Sequence, residues 1–324
     1  MRYNFRFIKF KGKMRSFFAK KLTFLSYSIV FGLKWGKKFN VAKNDRELWL
    51  DTCYDLLVEK FSDFIQNYKY ESKSKINSNI IWVCWLQTDH IKPEVVEVCI
   101  KSIKKNAPSD CKVNVISMNN IAEYVELPSF IYKKLEKGNI TLTHFSDILR
   151  MALLCKYGGL WIDSTVLTCG AIPSSYLNKS LYSIQAVNLD DGNNKKYYGP
   201  LASFLLGGSS DCMIFDFCYK FFLEYQKKYN LMVDGHWMNI IFRVIYEYFP
   251  YEIKEVNDIG INNGRYNVLV NYLNNPYDEY KWNELIDNQI FHKLNWRLDY
   301  HETVDGKLTY YGYIKRGLMN GKDN

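Results

Sequence analysis

Proline is scarce, with 7 in 324 residues, and glycine stands at only 18. That composition excludes collagen-like proteins and Pro-rich linkers. No run of 18 uninterrupted apolar residues occurs, which argues against an ordinary spanning helix. The eight cysteines form no Cys-x-x-Cys pair, and histidines do not cluster beside them, so zinc-finger and thioredoxin-type sites fail on spacing. The phosphate loop Gly-x-x-x-x-Gly-Lys-Ser/Thr, the Gly-x-Ser-x-Gly elbow and the His-Glu-x-x-His zinc motif are all missing. Acid is missing from the first 44 residues, which hold 12 Lys or Arg. The remaining chain carries 31 basic and 34 acidic residues, so a mildly acidic globule follows a strongly basic arm.

What is present suffices for a core. The chain is 48% hydrophobic and 17% aromatic, far from a disordered composition, and its length suits one large domain or two small ones. Cys84, Cys155 and Cys218 lie inside apolar runs and read as small core hydrophobes of a reducing cytoplasm.

The arm, residues 1–44, interleaves cations with aromatics: Arg2, Tyr3, Phe5, Arg6, Phe7, Lys9, Phe10 and Lys11. An apolar stretch follows over 24–33, then Lys34, Trp35, Lys37 and Lys38. No Ala-x-Ala cleavage site follows, unlike a secretory signal, and ten residues cannot span a bilayer as a helix. Cations flanking such a segment suit a helix lying on an anionic membrane surface, at about 1 kcal/mol per basic side chain. Nucleic acid is the competing partner, disfavoured because it offers the apolar segment no burial; the bland alternative is a helix packed on the main domain.

Residues 46–68 carry Leu48, Leu50, Leu56, Leu57, Phe61, Phe64 and Ile65 at helical spacing and predict an accessory helix, with a polar linker over 71–79. The pattern then changes. Residues 80–85 predict a buried strand, 93–106 a helix with Pro93 in its first turn, 112–117 a second strand, and Asn119 or Asn120 can cap a short helix. Strand, helix, strand, helix implies a parallel α/β sheet.

The chemistry is concentrated in 141–168. Thr143 can cap a helix running to about Tyr157, in which Asp147 and Arg150, three apart, share one face of an otherwise apolar surface. Gly158 and Gly159 end that helix, 160–162 form a strand, and Asp163 stands at its carboxyl end, where open α/β sheets bind ligands. Asp163 with Ser164 and Thr165 offers hard oxygen donors for Mg²⁺ or Mn²⁺ on a diphosphate, and Arg150 offers a fork for phosphate or sugar hydroxyls. Together they describe a nucleotide-sugar site. A structural ion pair plus a turn Asp is the bland alternative.

Three segments, Ile80-Ile-Trp-Val-Cys-Trp85, Leu142-Thr-His-Phe-Ser-Asp-Ile-Leu-Arg150 and Lys156-Tyr-Gly-Gly-Leu-Trp-Ile-Asp-Ser-Thr-Val166, resemble the capsular polysaccharide synthesis family of bacterial glycosyltransferases. Phe291-His-Lys-Leu-Asn-Trp296 is a weaker match, with Thr309-Tyr-Tyr-Gly-Tyr313 after it. The resemblance, also to the family 32 group of sugar transferases, covers about 79–315 and leaves the arm, 45–78 and the tail 316–324 outside. It implies a GT-A fold, a Rossmann-like mixed sheet flanked by helices, with the basic helical arm added. It implies that Trp82 stacks on the nucleotide base, that Ser146, Asp147 and Arg150 hold the donor, and that Asp163 is the first Asp of a DXD motif. Thr165 departs from that motif and weakens the set. His292 is the further expected metal ligand, completing Asp163, Thr165 and His292 around Mn²⁺ or Mg²⁺.

Outside that unit, Asp190-Asp191-Gly-Asn-Asn194 reads as a solvated acidic loop, and Gly207-Gly208-Ser-Ser210 as a strand-to-helix turn. In Asp234-Gly-His-Trp-Met-Asn239, Asp234 is either an acceptor contact or acid/base group, or an N-cap before an apolar helix. The expected function is a retaining, metal-assisted transfer of a sugar from a nucleotide donor, UDP-linked by preference, to a polyprenyl-diphosphate-linked oligosaccharide, at the inner face of the cell membrane and without nucleic acid. The alternative is a non-catalytic assembly protein of the same fold.

Overall fold

The computed structural model describes residues 8, 10–12, 14, 21–72, 74–76, 78–87, 92–185, 201–251, 254–260 and 262–319. Much of the basic arm (Arg2, Tyr3, Phe5, Arg6, Phe7 and Lys9) and the acidic loop Asp190–Asn194 lie outside the described residues.

The first two helices whose full extent is described are short, α1 (Thr23–Phe31) and α2 (Leu33–Ala42). Gly32 turns between them at φ 101°, and Gly36 lets them touch: a Cβ there would sit 2.6 Å from the Phe24 carbonyl. Their inner face buries Tyr27, Phe31, Trp35 and Phe39. Helix α3 (Arg46–Lys60) is capped by Asp45, whose side chain accepts from Leu48 N at 3.0 Å. The predicted accessory helix is interrupted at buried Phe61, and α4 (Ser62–Asn67) completes it. The predicted linker has no regular structure but is pinned: Ile76 N donates to Ser210 Oγ and Ser78 Oγ donates to the Tyr157 carbonyl.

The sheet follows in the expected order: β1 (Ile80–Cys84), α5 (Glu94–Asn106), β2 (Lys112–Ile116), α6 (Ser129–Glu136), α7 (Leu142–Tyr157), β3 (Gly159–Ile162) and β4 (Val166–Thr168). Then come β5 (Leu181–Ser183), β6 (Leu205–Gly208), α8 (Met213–Lys228), α9 (Trp237–Tyr248), α10 (Lys254–Asp258), α11 (Glu279–Ile286), β7 (Phe291–Lys293), β8 (Thr303–Val304), β9 (Lys307–Leu308) and α12 (Tyr310–Met319). The strand order is β2-β1-β3-β6-β5, with β1, β2 and β3 parallel to one another and β6 antiparallel to both of its neighbours, β3 and β5. It is the mixed sheet flanked by helices that the resemblance implied, and the parallel half is the part read from strand and helix alternation.

Strand alternation decides which residue meets which layer. Ile81, Val83, Leu160 and Ile162 join the core under α5 and α12. Trp82, Cys84 and Trp161 join the opposite core, with α7, α8, α9 and the N-terminal helices. Asp163 continues the Trp161 face, so its carboxylate meets α7.

Candidate active site

Helix α7 is buried almost throughout from His144 to Leu154, and from Ile148 to Cys155 its only polar residue is Arg150. Thr141, not Thr143, is its cap, accepting from His144 N at 3.3 Å; the helix starts one residue after it. A charge on such a helix is costly unless paired. Asp147 and Arg150 pair with each other at 3.0 Å, with side chains 8% and 5% exposed. The helix ends at Gly158 (φ 68°), and Gly159 follows at φ 90°. A Cβ at Gly159 would lie 2.5 Å from the Ile80 carbonyl, so only glycine lets β3 enter between β1 and β6 directly off the helix.

That sharp turn delivers Asp163 to Arg150. Arg150 Nη2 donates to Asp163 Oδ1 at 3.1 Å while its Nη1 holds Asp147. The guanidinium lies 4.7 Å from the Trp161 ring centroid, and Trp161 Nε1 donates to the same Oδ1 at 2.9 Å. The other oxygen, Asp163 Oδ2, accepts from Lys293 Nζ at 2.6 Å, and that ammonium also reaches Thr165 Oγ1 at 2.9 Å. The site is thus two carboxylates and two cations at the carboxyl ends of β1 and β3. Asp163 and Lys293 each keep 27% of the side chain exposed, so this pair is open to solvent.

The environments push the two carboxyls apart. Burial raises Asp147 to about 6, with Arg150 only partly offsetting it and Asp163 adding to it. Burial also acts on Asp163, but Lys293 and Arg150 outweigh it and hold that group below the ordinary carboxylate range.

Ser146 is half-buried beside the chain end of β1, its hydroxyl bonded to the Cys84 thiol, which burial pushes up to about 12. Trp82 corrects an expectation. It is 1% exposed, its Nε1 donates to the Gly158 carbonyl at 2.9 Å, and its ring packs between Tyr124 and Tyr157, so it presents no face for a nucleotide base. Asp234 is also placed differently from an acid/base group. It accepts from Arg46 at 2.6 and 3.1 Å, from Trp49 Nε1 at 3.0 Å and from His236 N at 2.7 Å. Burial opposes its ionisation, but His236 and Arg46 overcome it and hold the carboxyl far below its usual value. It ties α3 to the start of α9.

The expected metal set is not brought together. His292 is fully buried, bonded through Nε2 to the Gln289 carbonyl at 3.2 Å, and burial holds it neutral with a pKa near 4. It follows the alternation of β7, where neighbours point to opposite sides. Val166 pairs with Lys293 and Leu167 with His292, so Lys293 is the side chain that reaches Thr165. Both oxygens of Asp163 are engaged by three donors, and an ammonium occupies the space between Asp163 and Thr165. A divalent ion within 4 Å of one fixed positive charge is repelled by about 8 kcal/mol at an effective dielectric near 20. Among the described residues no three His, Cys, Asp or Glu converge on a point that could hold a metal ion. These donors do not fit Mn²⁺ or Mg²⁺ as they stand.

Reading the sequence missed Lys293, although it lies in the quoted Phe291–Trp296 segment, next to the His that was singled out. It also missed Trp85, half-buried just past β1 with its ring edge-on to Trp296 at 5.7 Å. Trp85 sits at the carboxyl end of the strand, where Trp82 does not.

Among the described residues no two cysteines form a disulfide. Among the described residues no helix is long and apolar enough to cross a membrane.

A model of the family described as capsular polysaccharide synthesis protein matches residues 34–314. The match starts before α3, so it takes in the accessory helix that the resemblance had left outside. Among curated proteins none matches the chain. A solved structure titled PaToxG Glycosyltransferase is similar at 16% identity over 64% of this chain and 82% of that one, with a TM-score of 0.36. A likeness so slight carries no argument about activity.

Proposed function

We propose that this chain, which belongs to the capsular polysaccharide synthesis protein family, is a glycosyltransferase of the GT-A type that moves a sugar from a nucleotide donor, UDP-linked by preference, to a hydroxyl of a growing oligosaccharide. The observation that carries this reading is the Asp147–Arg150–Asp163 chain of ion pairs at the carboxyl ends of two parallel strands. Two of the three charges, Asp147 and Arg150, are held in a nearly dry apolar setting and are costly to assemble, and such pairs are stabilising only with well-matched partners.

In this reading Asp147 accepts hydrogen bonds from donor-sugar hydroxyls and Arg150 fixes both carboxylates. The bond from the anomeric carbon to the diphosphate oxygen breaks, with its electron pair leaving on the diphosphate. The acceptor oxygen bonds to that carbon from the same side, and its proton passes to the departing diphosphate. Asp163 is held by two cations and a Trp N–H, and Asp147 by Arg150, which makes either a poor nucleophile. With the retention that the family resemblance implies, the lack of a free nucleophile favours front-side transfer.

Asp147→Asn keeps the shape and removes the charge. It should lower kcat about a hundredfold while the melting temperature holds. The assay is transfer or hydrolysis of labelled UDP-sugars by the purified chain, and unchanged turnover would sink the assignment.

The acceptor in this reading is linked to a polyprenyl diphosphate at the inner face of the cell membrane. The support is the outer face of the α1–α2 hairpin, where Phe24, Leu25, Ile29 and Leu33 are 41 to 74% exposed, with exposed Lys21 and Lys37 near them in the chain and Lys34 paired with Glu59 of α3. Apolar side chains ringed by cations suit an anionic lipid surface.

A further inference from the structure

Lys293 stands where a divalent cation was expected, and its surroundings are built rather than incidental. Its backbone is fixed on two sides: Lys293 N donates to the Tyr266 carbonyl at 2.7 Å, and the next residue, Leu294, donates to the Thr165 carbonyl at 2.8 Å. The β4–β7 ladder places it opposite Val166, one residue from Thr165. Its ammonium rests 5.2 Å from the Phe204 ring centroid. Of its three N–H donors, Asp163 and Thr165 take two. Among the described residues nothing takes the third, which is left for a ligand oxygen at a side chain 27% exposed to solvent.

Resting on the glycosyltransferase reading, we propose that the Lys293 ammonium takes the place of a metal ion and holds the diphosphate of the donor, so that this site binds a nucleoside diphosphate without a divalent cation. Asp163 and Thr165 act as the seat of the lysine, not as ligands of a metal. The same seat explains the hydroxyl at 165. A second carboxylate there would tie the ammonium down between two anions, whereas a neutral hydroxyl orients it and leaves its charge for phosphate. Arg150 supplies the second positive charge and keeps Asp163 from swinging away. As the glycosidic bond breaks, the diphosphate gains negative charge beside a fixed cation, which needs no ion to be bound or released.

The test is calorimetric titration of UDP and GDP into the full chain, in EDTA and in Mn²⁺. The expected result is the same affinity in both, for at least one nucleotide. Lys293→Ala should weaken that binding about tenfold or more in EDTA, and Lys293→Arg should retain most of it. Binding that requires Mn²⁺, or that Lys293→Ala leaves unchanged, overturns the proposal while the glycosyltransferase reading stands. Binding of neither nucleotide in either condition removes both. Should Lys293→Ala fail to fold, the wild-type titration in EDTA still decides.

Discussion

At the residue scale the two carboxylates of the site differ in kind. Asp147 is buried and raised to about 6, with Arg150, Asp163 and His236 as the charged or titratable groups that act on it. Asp163 is held below the ordinary range and stays ionised across the working pH. If ionised Asp147 accepts sugar hydroxyls, kcat/KM should fall on an acid limb centred near pH 6, since that ratio reports the free enzyme. The limb should vanish in the residual activity of Asp147→Asn. A flat profile from pH 5 to 8 would show that the charge of Asp147 does not matter to binding or turnover. The sign for stability is opposite. Between its ordinary 3.8 and about 6 the folded chain keeps a proton that the unfolded chain releases, so this group's contribution to stability declines as pH rises through that window. Asp147, Arg150 and Asp163 were legible in the sequence because helix spacing and a Gly-Gly turn are local facts. Lys293 was not, because its partner Thr165 is 128 residues away and is met only through the β4–β7 register. Alternation said that residues 292 and 293 face opposite sides, but not which one faces the site.

At the element scale the strands and helices of the sheet were legible from their periods, while the packing of the N-terminal helices on the core was legible only as the bland alternative to a membrane-surface arm. Their apolar residues are arranged to serve two environments. Tyr27 and Phe39 meet Trp49 of α3 at 5.6 and 4.9 Å, whereas Ile29 and Leu33 face outward. Asp234 is the joint of this layer, and an isolated motif gave no hint that Arg46, 188 residues away, would be its partner. Replacing Asp234 with Ala removes acceptors from Arg46, Trp49 and the His236 amide, so stability should drop by about 2 kcal/mol, read by denaturant unfolding. The kcat of the folded fraction should be unchanged. A large loss of kcat with unaltered stability would return Asp234 to the acid/base role first expected of it.

At the scale of the whole molecule, charge and apolar surface are divided between regions. The first 44 residues carry all-positive charge, and the rest is slightly acidic, so a field points the N-terminal end toward anionic partners. Charge alone would suit nucleic acid as well as lipid. The outward residues of α1, Phe24, Leu25 and Ile29, favour lipid over nucleic acid, because nucleic acid offers them no burial. Full-length protein should therefore co-sediment with vesicles containing phosphatidylserine and only weakly with neutral ones, and the binding should weaken as salt rises. Changing Phe24, Leu25 and Ile29 together to Ser should cost about a hundredfold or more in vesicle affinity. That change should leave nucleotide binding intact, because these side chains point away from the core and are not among the partners of Asp163 or Lys293. Vesicle binding that survives the triple change would move the contact to another surface. Tight, steeply salt-dependent DNA binding in place of vesicle binding would give the basic arm to nucleic acid.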